Sequence, residues 1–382
     1  MQKVRSLTPQ YSLCTAAFWM SFCVSISYAA VYLQGLGYSN TELGAILAFG
    51  NVFSAVLAPL LSSLIDRRHD LSPSRFLPPI LLAQASVLII LMLFPGKSTL
   101  SSICYVLYIA LSISVNSLNL KLYVDIGHAG TNADYGTARG IGSFAFVLLS
   151  ALLGSAVERY SVRVLPCAGL VMTLIQMAAF FMLKRSMPAK AVLNTESDGV
   201  STPLFLFLRK NPRFSILLLG TALIFFSHNT IVNFLINLSI NAGGDTETMG
   251  YLNAVMALAE IPVILFYGRL HRRLGGKLSH AAALRIAFVF FTLKALAFAA
   301  AGTVSLLYAS LLLQAPSFAL YTAAIVDYVE DSLPHEDSAK AQSLAFTMTT
   351  VGSVLASLFS GRSYDRLGVF PTLMIGALVC LI

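Results

Sequence analysis

The chain has 382 residues, of which 57% are hydrophobic and only 11% are charged, and its formal net charge is +8. A soluble globular chain carries roughly 25% charged residues, so this composition excludes an ordinary soluble domain. It indicates a protein whose main solvent is lipid. In a membrane protein, excess positive charge is typical of cytoplasmic loops beside anionic lipid. No basic run is interleaved with aromatic residues, and we expect no nucleic-acid partner.

Twelve segments of the sequence are apolar enough to predict membrane helices, most of them near the ~20 residues that a bilayer requires. Unbroken runs of this length favour helices over a membrane barrel, whose strands show short alternating segments. The last segment is short, so we expect either a truncated chain or an incomplete final helix. The predicted helices lie near residues 11–34, 41–65, 75–95, 99–122, 136–158, 162–184, 213–240, 248–270, 279–301, 303–328, 340–361 and 370–382.

The lysines and arginines predict the orientation of these helices. With the N-terminus in the cytoplasm, sixteen of them fall in cytoplasmic stretches, five in outside stretches and four within predicted helices. An excess of lysine and arginine is typical of the loops that stay in the cytoplasm. We therefore predict a multi-pass protein of a bacterial-type cytoplasmic (inner) membrane, with a cytoplasmic N-terminus.

The sequence divides into two halves that each carry six predicted helices. The predicted organisation is an N-terminal bundle (1–184), a polar cytoplasmic linker (185–212) and a C-terminal bundle (213–382). TELGAILAFGNVFSAVLAPL in helix two and ETMGYLNAVMALAEIPVIL in helix eight align at a constant offset, which pairs Gly44 with Gly250. Internal repeats of this kind are typical of transporters. We predict an all-α integral membrane fold, with twelve transmembrane helices as two six-helix bundles around a central cavity.

Local motifs resemble the major facilitator superfamily. SSLIDRRHD (62–70) resembles the loop between helices two and three of that superfamily. DYGTARGIGSFAF (134–146) is similar to the helix-five segment of its lactose-permease-like branch, the proton symporters for oligosaccharides, nucleosides and aromatic acids. AEIP (259–262), GGK (275–277) and SHNTIVNFL (227–235) are similar to further segments of that branch.

The resemblance covers essentially the whole chain. It implies a transporter that works by alternating access and is driven by the proton gradient, with no cofactor. Within the gating motif it implies that Asp66 and Arg67 brace the outward-open state, the alternative being solvated loop charges. It also assigns Arg139 to the arginine that binds sugar in that branch.

Several of the branch's functional residues are replaced in this chain. The acid that partners the helix-five arginine is replaced by Lys121. The lysine, histidine and glutamate of helix ten, which carry the branch's proton chemistry, correspond to Leu311, Gln314 and Ser317. The resemblance therefore implies the fold and the transport class, but neither the sugar nor that proton pathway.

Glu260 is the only acid deep in a predicted helix. It lies about twelve residues into helix eight, or ~18 Å at ~1.5 Å per residue. An ionisable group at mid-membrane costs ~2.5–3.5 kcal/mol on insertion scales and should face a cavity or a partner. We predict that Glu260 couples transport to protons or binds the solute directly; the alternative is a structural pair with Lys294 or Arg139. His228 is a second proton-coupling candidate, the alternative being a satisfied structural histidine.

Other polar side chains in the predicted helices are candidates for binding the solute. Helix seven carries asparagines at four-residue spacing on one face, which suit a hydroxylated or heterocyclic solute but also bond neighbouring helices. Lys121 lies near a helix end, and its alternative role is to reach the membrane interface. The predicted solute-binding residues are Asn116, Asn119, Lys121, Arg139, Asn229, Asn233, Lys294 and Gln314.

Three functions remain open on the sequence. The first is a proton symporter, and since deep cations outnumber the one deep acid, we expect a small polar or anionic solute. The alternatives are a proton-coupled exporter of drugs or metabolites and a sensor that binds a solute without net flux. No nucleophile elbow, metal cluster or P-loop motif occurs in the sequence, so we expect no enzyme and no metal site. The expected partners are a small-molecule solute and the lipid bilayer, with the monomer as the functional form.

Overall fold

The structure is a computed structural model that describes residues 6–67, 73–128, 131–187, 203–273 and 279–381. These residues are almost entirely helical and contain no strand apart from an isolated bridge between Ser6 and Asn132. The chain forms two compact units. Unit 1 comprises Met1–Tyr38 and Phe49–Glu196, and unit 2 comprises Ser39–Ala48 and Ser197–Ile382. The predicted domain limits and linker stay predictions, since much of residues 185–212 lies outside the described part.

Unit 1 is built on long helices that pack around a core of aromatic and branched side chains. Its first helix is interrupted by a π-helical segment (Cys23–Ser27) and bends by 45° at Tyr28. The core buries Tyr11, Phe18 and Phe180. The helices are α1 (Thr8–Phe22), α2 (Ala29–Gly35), α3 (Asn40–Arg67), α4 (Pro73–Leu93), α5 (Thr99–His128), α6 (Tyr135–Tyr160) and α7 (Val164–Ser186).

Among the residues that the structure describes, unit 2 contains the remaining helices and two hydrophobic cores. One core includes Phe225, Phe291 and Tyr321, and the other includes Phe207 and Phe214. The helices are α8 (Leu204–Lys210), α9 (Pro212–Val232), α10 (Leu235–Asn241), α11 (Thr246–Arg273), α12 (His280–Ala300), α13 (Val304–Leu311), α14 (Leu320–Ser332), α15 (His335–Leu367) and α16 (Val369–Val379).

Ten helical spans of the described residues are long and apolar enough to cross a membrane, and the bent pair of α1 and α2 makes an eleventh. The α16 helix is apolar but shorter. The predicted all-α integral membrane fold is therefore confirmed.

Besides the first helix, two further predicted helices are interrupted in the structure. Helix seven is divided into α9 and α10 at Phe234, where the backbone leaves the helical region with φ −123°. Helix ten is divided into α13, a 3₁₀ turn (Leu312–Gln314), a π-helical segment (Ala315–Ala319) and α14. Proline has no N–H to donate, so Pro316 accounts for the second interruption. Continuous apolar sequence concealed both.

The first turns of α3 belong to unit 2, where Asp365 of α15 holds them. Its carboxylate accepts hydrogen bonds from the backbone N and Nδ2 of Asn40, at 3.1 and 2.9 Å, and from the backbone N and Oγ1 of Thr41, at 2.7 and 2.6 Å. The first N–H groups of a helix have no partner in their own helix, and negative charge is favourable there. The two helices cross closely, because a Cβ on Gly361 would lie 2.4 Å from the carbonyl oxygen of Asn40.

Candidate functional site

Four polar side chains of unit 2 form a continuous hydrogen-bonded chain, which we call the polar chain. From α11, Glu260 accepts at Oε1 a hydrogen bond of 2.8 Å from Nε2 of Gln314. Gln314 accepts at Oε1 a bond of 3.0 Å from Nζ of Lys294, on α12. The same Nζ lies 2.8 Å from Nδ1 of His228, on α9. Four separate elements thus converge on one line of polar atoms inside an apolar bundle.

Most of the polar chain is removed from solvent. Lys294 is 2% exposed, Gln314 1% and His228 6%, whereas Glu260 is half-buried. Aromatic rings enclose the buried end: His228 stacks on Phe318 at 4.9 Å between ring centres, and Nζ of Lys294 lies 4.7 Å from the ring centre of Phe291. Glu260 is therefore the accessible end of the polar chain.

The donors and acceptors of the polar chain follow from its chemistry. A lysine ammonium has donors only, so Nδ1 of His228 accepts from it and Oε1 of Gln314 must be the amide's acceptor. The amide nitrogen then donates to the Glu260 carboxylate. Lys294, which can only donate, therefore sets the direction of the bonds along the polar chain.

This arrangement links a protonation to helix packing. Charged Glu260 gives the Gln314 amide a strong acceptor, because hydrogen bonds to ionised groups are about twice as strong as neutral ones. A proton on Glu260 removes that charge and weakens the contact between α11 and the interrupted segment that carries Gln314. Lys294 then loses the negative charge to which Gln314 connects it.

In unit 1, Arg139 lies on the face of Trp19. The guanidinium carbon of Arg139, on α6, lies 4.0 Å from the ring centre of Trp19, on α1, and Nη1 donates to Oγ of Ser143 one turn further along. Gly142 makes this approach possible, since a Cβ there would lie 2.6 Å from Cδ1 of Trp19. Arg139 is half-buried, so a charged group is held beside an aromatic surface.

The start of α6, which carries Arg139, is capped by Asp134. The carboxylate accepts hydrogen bonds from Oγ1 of Thr137 and from the backbone N of Gly136, the latter at 3.0 Å. The Thr137 side chain is the main cause that holds the pKa of Asp134 below its ordinary value, followed by backbone N–H groups of the first turn. The cap fixes the first turn of α6, one turn before Arg139.

The predicted solute-binding residues of helix four lie on α5 in different surroundings. Asn116 is exposed and Lys121 is half-buried. Asn119 is 5% exposed, and neither its Oδ1 nor its Nδ2 has a hydrogen-bond partner. An unpaired buried polar group costs about 1–3 kcal/mol. Among the predicted solute-binding residues that the structure describes, Asn119 is therefore the one whose buried side-chain amide has no hydrogen-bond partner.

The asparagines of helix seven bond different partners. Nδ2 of Asn229 donates to the carbonyl oxygen of Phe225 in its own helix at 2.7 Å. Nδ2 of Asn233 donates to Oγ of Ser357 at 3.1 Å. These bonds give both amides a structural use, and a role in solute binding stays a prediction for them.

The predicted gating pair lies at the end of α3. Asp66 and Arg67 are helical, but their side chains lie outside the described residues. Among the described residues, no group of three or more histidines, cysteines and acids could hold a metal ion.

Sequence reasoning missed the contact of Trp19 with Arg139 and the enclosure of His228 by Phe318. It also did not foresee that Gln314 bridges Glu260 and Lys294. The available signal was depth alone, because Glu260 and Lys294 both fall near the middle of their predicted helices. Depth does not tell which faces of two helices meet.

The chain matches a known protein family over nearly its whole length. Residues 10–374 match the model of the MFS_1 like family. The probable 3-phenylpropionic acid transporter of Escherichia coli (strain K12) is 27% identical over 265 residues, which are 67% of this chain and 65% of that relative. The aligned part of the chain thus spans about two thirds of the relative's length.

Two solved structures share the fold. The nucleoside transporter NupG has a TM-score of 0.76 and 16% sequence identity, with 98% of this chain and 96% of that chain covered. An auto-inhibited POT family peptide transporter has a TM-score of 0.73 and 13% identity, with 98% and 95% covered. At these identities the likeness shows the fold alone.

Proposed function

The chain belongs to the MFS_1 like family of the major facilitator superfamily and is a membrane transporter, and we propose that it carries a small anionic or polar solute in symport with protons. The family consists of transporters and not of enzymes, and its members generally need no cofactor. The polar chain of unit 2 is the observation that supports the coupling. It places one carboxylate at the accessible end of a buried cationic network.

In the proposed cycle, Glu260 takes up the proton. While Glu260 is charged, its carboxylate holds Gln314, which in turn holds Lys294. Protonation weakens this hold and leaves the lysine without its compensating negative charge. An anionic solute is proposed to favour the state in which Glu260 is protonated, so that proton and solute stabilise the same state. Reciprocal stabilisation of this kind is what coupling means thermodynamically.

The solute is proposed to be a carboxylate with an aromatic or similarly flat body. Arg139 on Trp19 offers a guanidinium beside a ring face, which suits such an acid. Asn119 adds an unsatisfied amide. The probable 3-phenylpropionic acid transporter is named for an acid of this kind, which supports the proposal.

The proposed setting is a bacterial-type inner membrane, with a cytoplasmic N-terminus and the monomer as the functional form. The charge bias of the loops supports this orientation. The orientation can be tested with two reporter enzymes fused to the N-terminus, one active only in the cytoplasm and one active only outside it. Activity of the first reporter alone is the expected result.

The test uses purified protein in proteoliposomes, with labelled 3-phenylpropionate as the probe and a nucleoside, uridine, for comparison. A pH-sensitive dye inside the vesicles records protons. We expect solute-dependent proton uptake, accumulation driven by a pH gradient, and loss of that accumulation in Glu260→Gln. Glu247→Gln removes a carboxylate from the first turn of the same helix and should behave as the wild type.

Two outcomes contradict the proposal. Solute flux without proton movement would show that transport is not coupled to protons. Accumulation in Glu260→Gln equal to that of the wild type would show that the Glu260 carboxylate has no part in the coupling. Everted vesicles separate symport from the exporter alternative, since an exporter would accumulate solute there in exchange for protons.

A further inference from the structure

A short helix at one end of unit 2 has no part in the proposed transport chemistry. The helix α8 has seven residues, LFLFLRK, and is far too short to cross a bilayer, which takes ~20. Only Asn211 separates it from α9, which begins at Pro212 and is long enough to cross. The α8 helix therefore lies at the boundary of the membrane.

The joint between α8 and α9 is fixed by hydrogen bonds. Nδ2 of Asn211 donates to the carbonyl oxygen of Phe207 at 3.0 Å, and Oγ of Ser215 donates to the carbonyl oxygen of Leu208 at 2.9 Å. Phe207 is fully buried, with its ring edge-on to Phe214 at 5.9 Å between centres. These contacts decide which face of α8 turns away from unit 2.

The face opposite Phe207 combines a ring with a cation. At about 100° per residue, Phe205 and Arg209 both lie opposite Phe207. The Phe205 side chain is 80% exposed, the highest exposure of any large apolar side chain described. Leu204 and Leu206 beside it are also exposed, and so are the cations Arg209, Lys210 and Arg213.

The positive charge of this segment is not paired with negative charge among the residues that the structure describes. Residues 204–213, LFLFLRKNPR, contain no acid. None of the three cations pairs with a carboxylate in the part of the chain that the structure describes. Lys340 provides the contrast, because it lies over the inner Phe207 ring and is paired with Asp337 at 2.8 Å.

We infer that α8 and Arg213 form a docking site for the headgroups of anionic phospholipids. Phe205 and its leucine neighbours enter the edge of the acyl region, while Arg209, Lys210 and Arg213 bind the phosphates. Apolar side chains beside cations are typical of helices that lie in the membrane interface. Cations near an anionic leaflet are attracted to it, and guanidinium binds phosphate by paired hydrogen bonds. This inference is independent of the proposed solute and coupling.

The first experiment measures which lipids the full chain retains. The purified protein is exposed to phosphatidylglycerol or phosphatidylcholine and examined by native mass spectrometry. We expect preferential retention of phosphatidylglycerol, and a loss of that preference in R209Q/K210Q/R213Q of about fivefold for each cation removed. The control R159Q/R163Q removes two exposed cations of unit 1 that are predicted to lie on the opposite side of the membrane. It should keep the preference for phosphatidylglycerol.

The second experiment reports on Phe205 and does not depend on the triple variant's folding. In Phe205→Trp, brominated phosphatidylglycerol should quench the added fluorescence more strongly than brominated phosphatidylcholine, with wild-type Trp19 as the background. Equal retention of the two lipids, equal quenching, or equal loss in R159Q/R163Q would overturn the inference. So would a lipid-independent dimer that shields Phe205→Trp from both quenchers, since α8 would then bind a second copy.

Discussion

The two units compensate their membrane-embedded charges in different ways. Unit 2 joins Lys294 to Glu260 through a buried amide, whereas unit 1 places Arg139 on the ring face of Trp19. A charge in the membrane must find a partner in either case. In unit 2, the charge that compensates Lys294 is lost when the Glu260 carboxylate gains a proton. In unit 1, the guanidinium of Arg139 stays charged and the Trp19 ring does not titrate, so their contact does not change with protonation. The difference supports the proposal that unit 2 responds to protons and that unit 1 holds an anion.

The strongest way to break this comparison is Lys294→Gln. It removes the one cation of the polar chain, and a hydrogen bond to a charged group contributes about 1.5–3 kcal/mol. We expect proton-driven accumulation of solute in proteoliposomes to fall roughly 10- to 100-fold. The control Arg285→Gln removes an exposed cation from the same helix and should leave accumulation unchanged. Wild-type accumulation in Lys294→Gln would show that unit 2 does not need its cation.

Arg139→Lys tests the unit 1 side. Lysine keeps the charge but loses the flat guanidinium on Trp19, a contact that contributes about 0.5–2 kcal/mol. We expect the affinity for the solute, measured by uptake at varied concentration, to fall roughly 2- to 30-fold while the ratio of protons to solute is kept. An altered proton ratio would contradict the division of roles between the units.

Gly361→Ala tests the rigidity of the close crossing in unit 2. A Cβ there meets the backbone carbonyl of Asn40, which cannot turn aside, so we expect a loss of about 1–3 kcal/mol in the free energy of unfolding. Gly142→Ala in unit 1 meets the Trp19 side chain, which can turn, and should cost less. Gly268→Ala meets nothing within 4 Å and serves as the control. Thermal unfolding in detergent ranks the three, and equal midpoints would contradict the difference.

The smallest expected effect concerns Asp134, whose lowered pKa marks it as charged in the folded protein. A group with a depressed pKa stabilises the fold above its unfolded value, about pH 3.9, and this contribution is lost as the pH falls through the folded value. Asp134→Asn keeps the cap without the charge. The wild type should therefore unfold at a slightly higher temperature than Asp134→Asn at neutral pH, and the gap should close in acid. A gap that persists in acid would assign it to something other than charge.

The sequence predicted the all-α membrane fold and the superfamily, both of which are confirmed, because apolar length and local motifs carry that information. Predicted helix eight, near 248–270, corresponds to α11 (Thr246–Arg273). The interruption at Phe234 was not predictable from the local sequence, since TIVNFLINL (230–238) contains neither proline nor glycine.

The candidate residues were predictable one by one, but their contacts were not. Glu260, Lys294, Gln314 and His228 stand out as polar side chains in apolar helices. Their joining depends on the rotation of α9, α11 and α12 about their own axes, which composition does not determine. The roles of all these residues in transport stay predictions.

Gln314 gives the polar chain a property that neither of its charged neighbours has. A side-chain amide neither gains nor gives up a proton near neutral pH. Gln314 therefore separates the carboxylate of Glu260 from the ammonium of Lys294 by a group that does not titrate. Glu260 and Lys294 can sense each other's charge across it, yet no proton passes directly from one to the other. In the proposed cycle, the carboxylate would therefore take up and release its proton on its own side of the Gln314 amide.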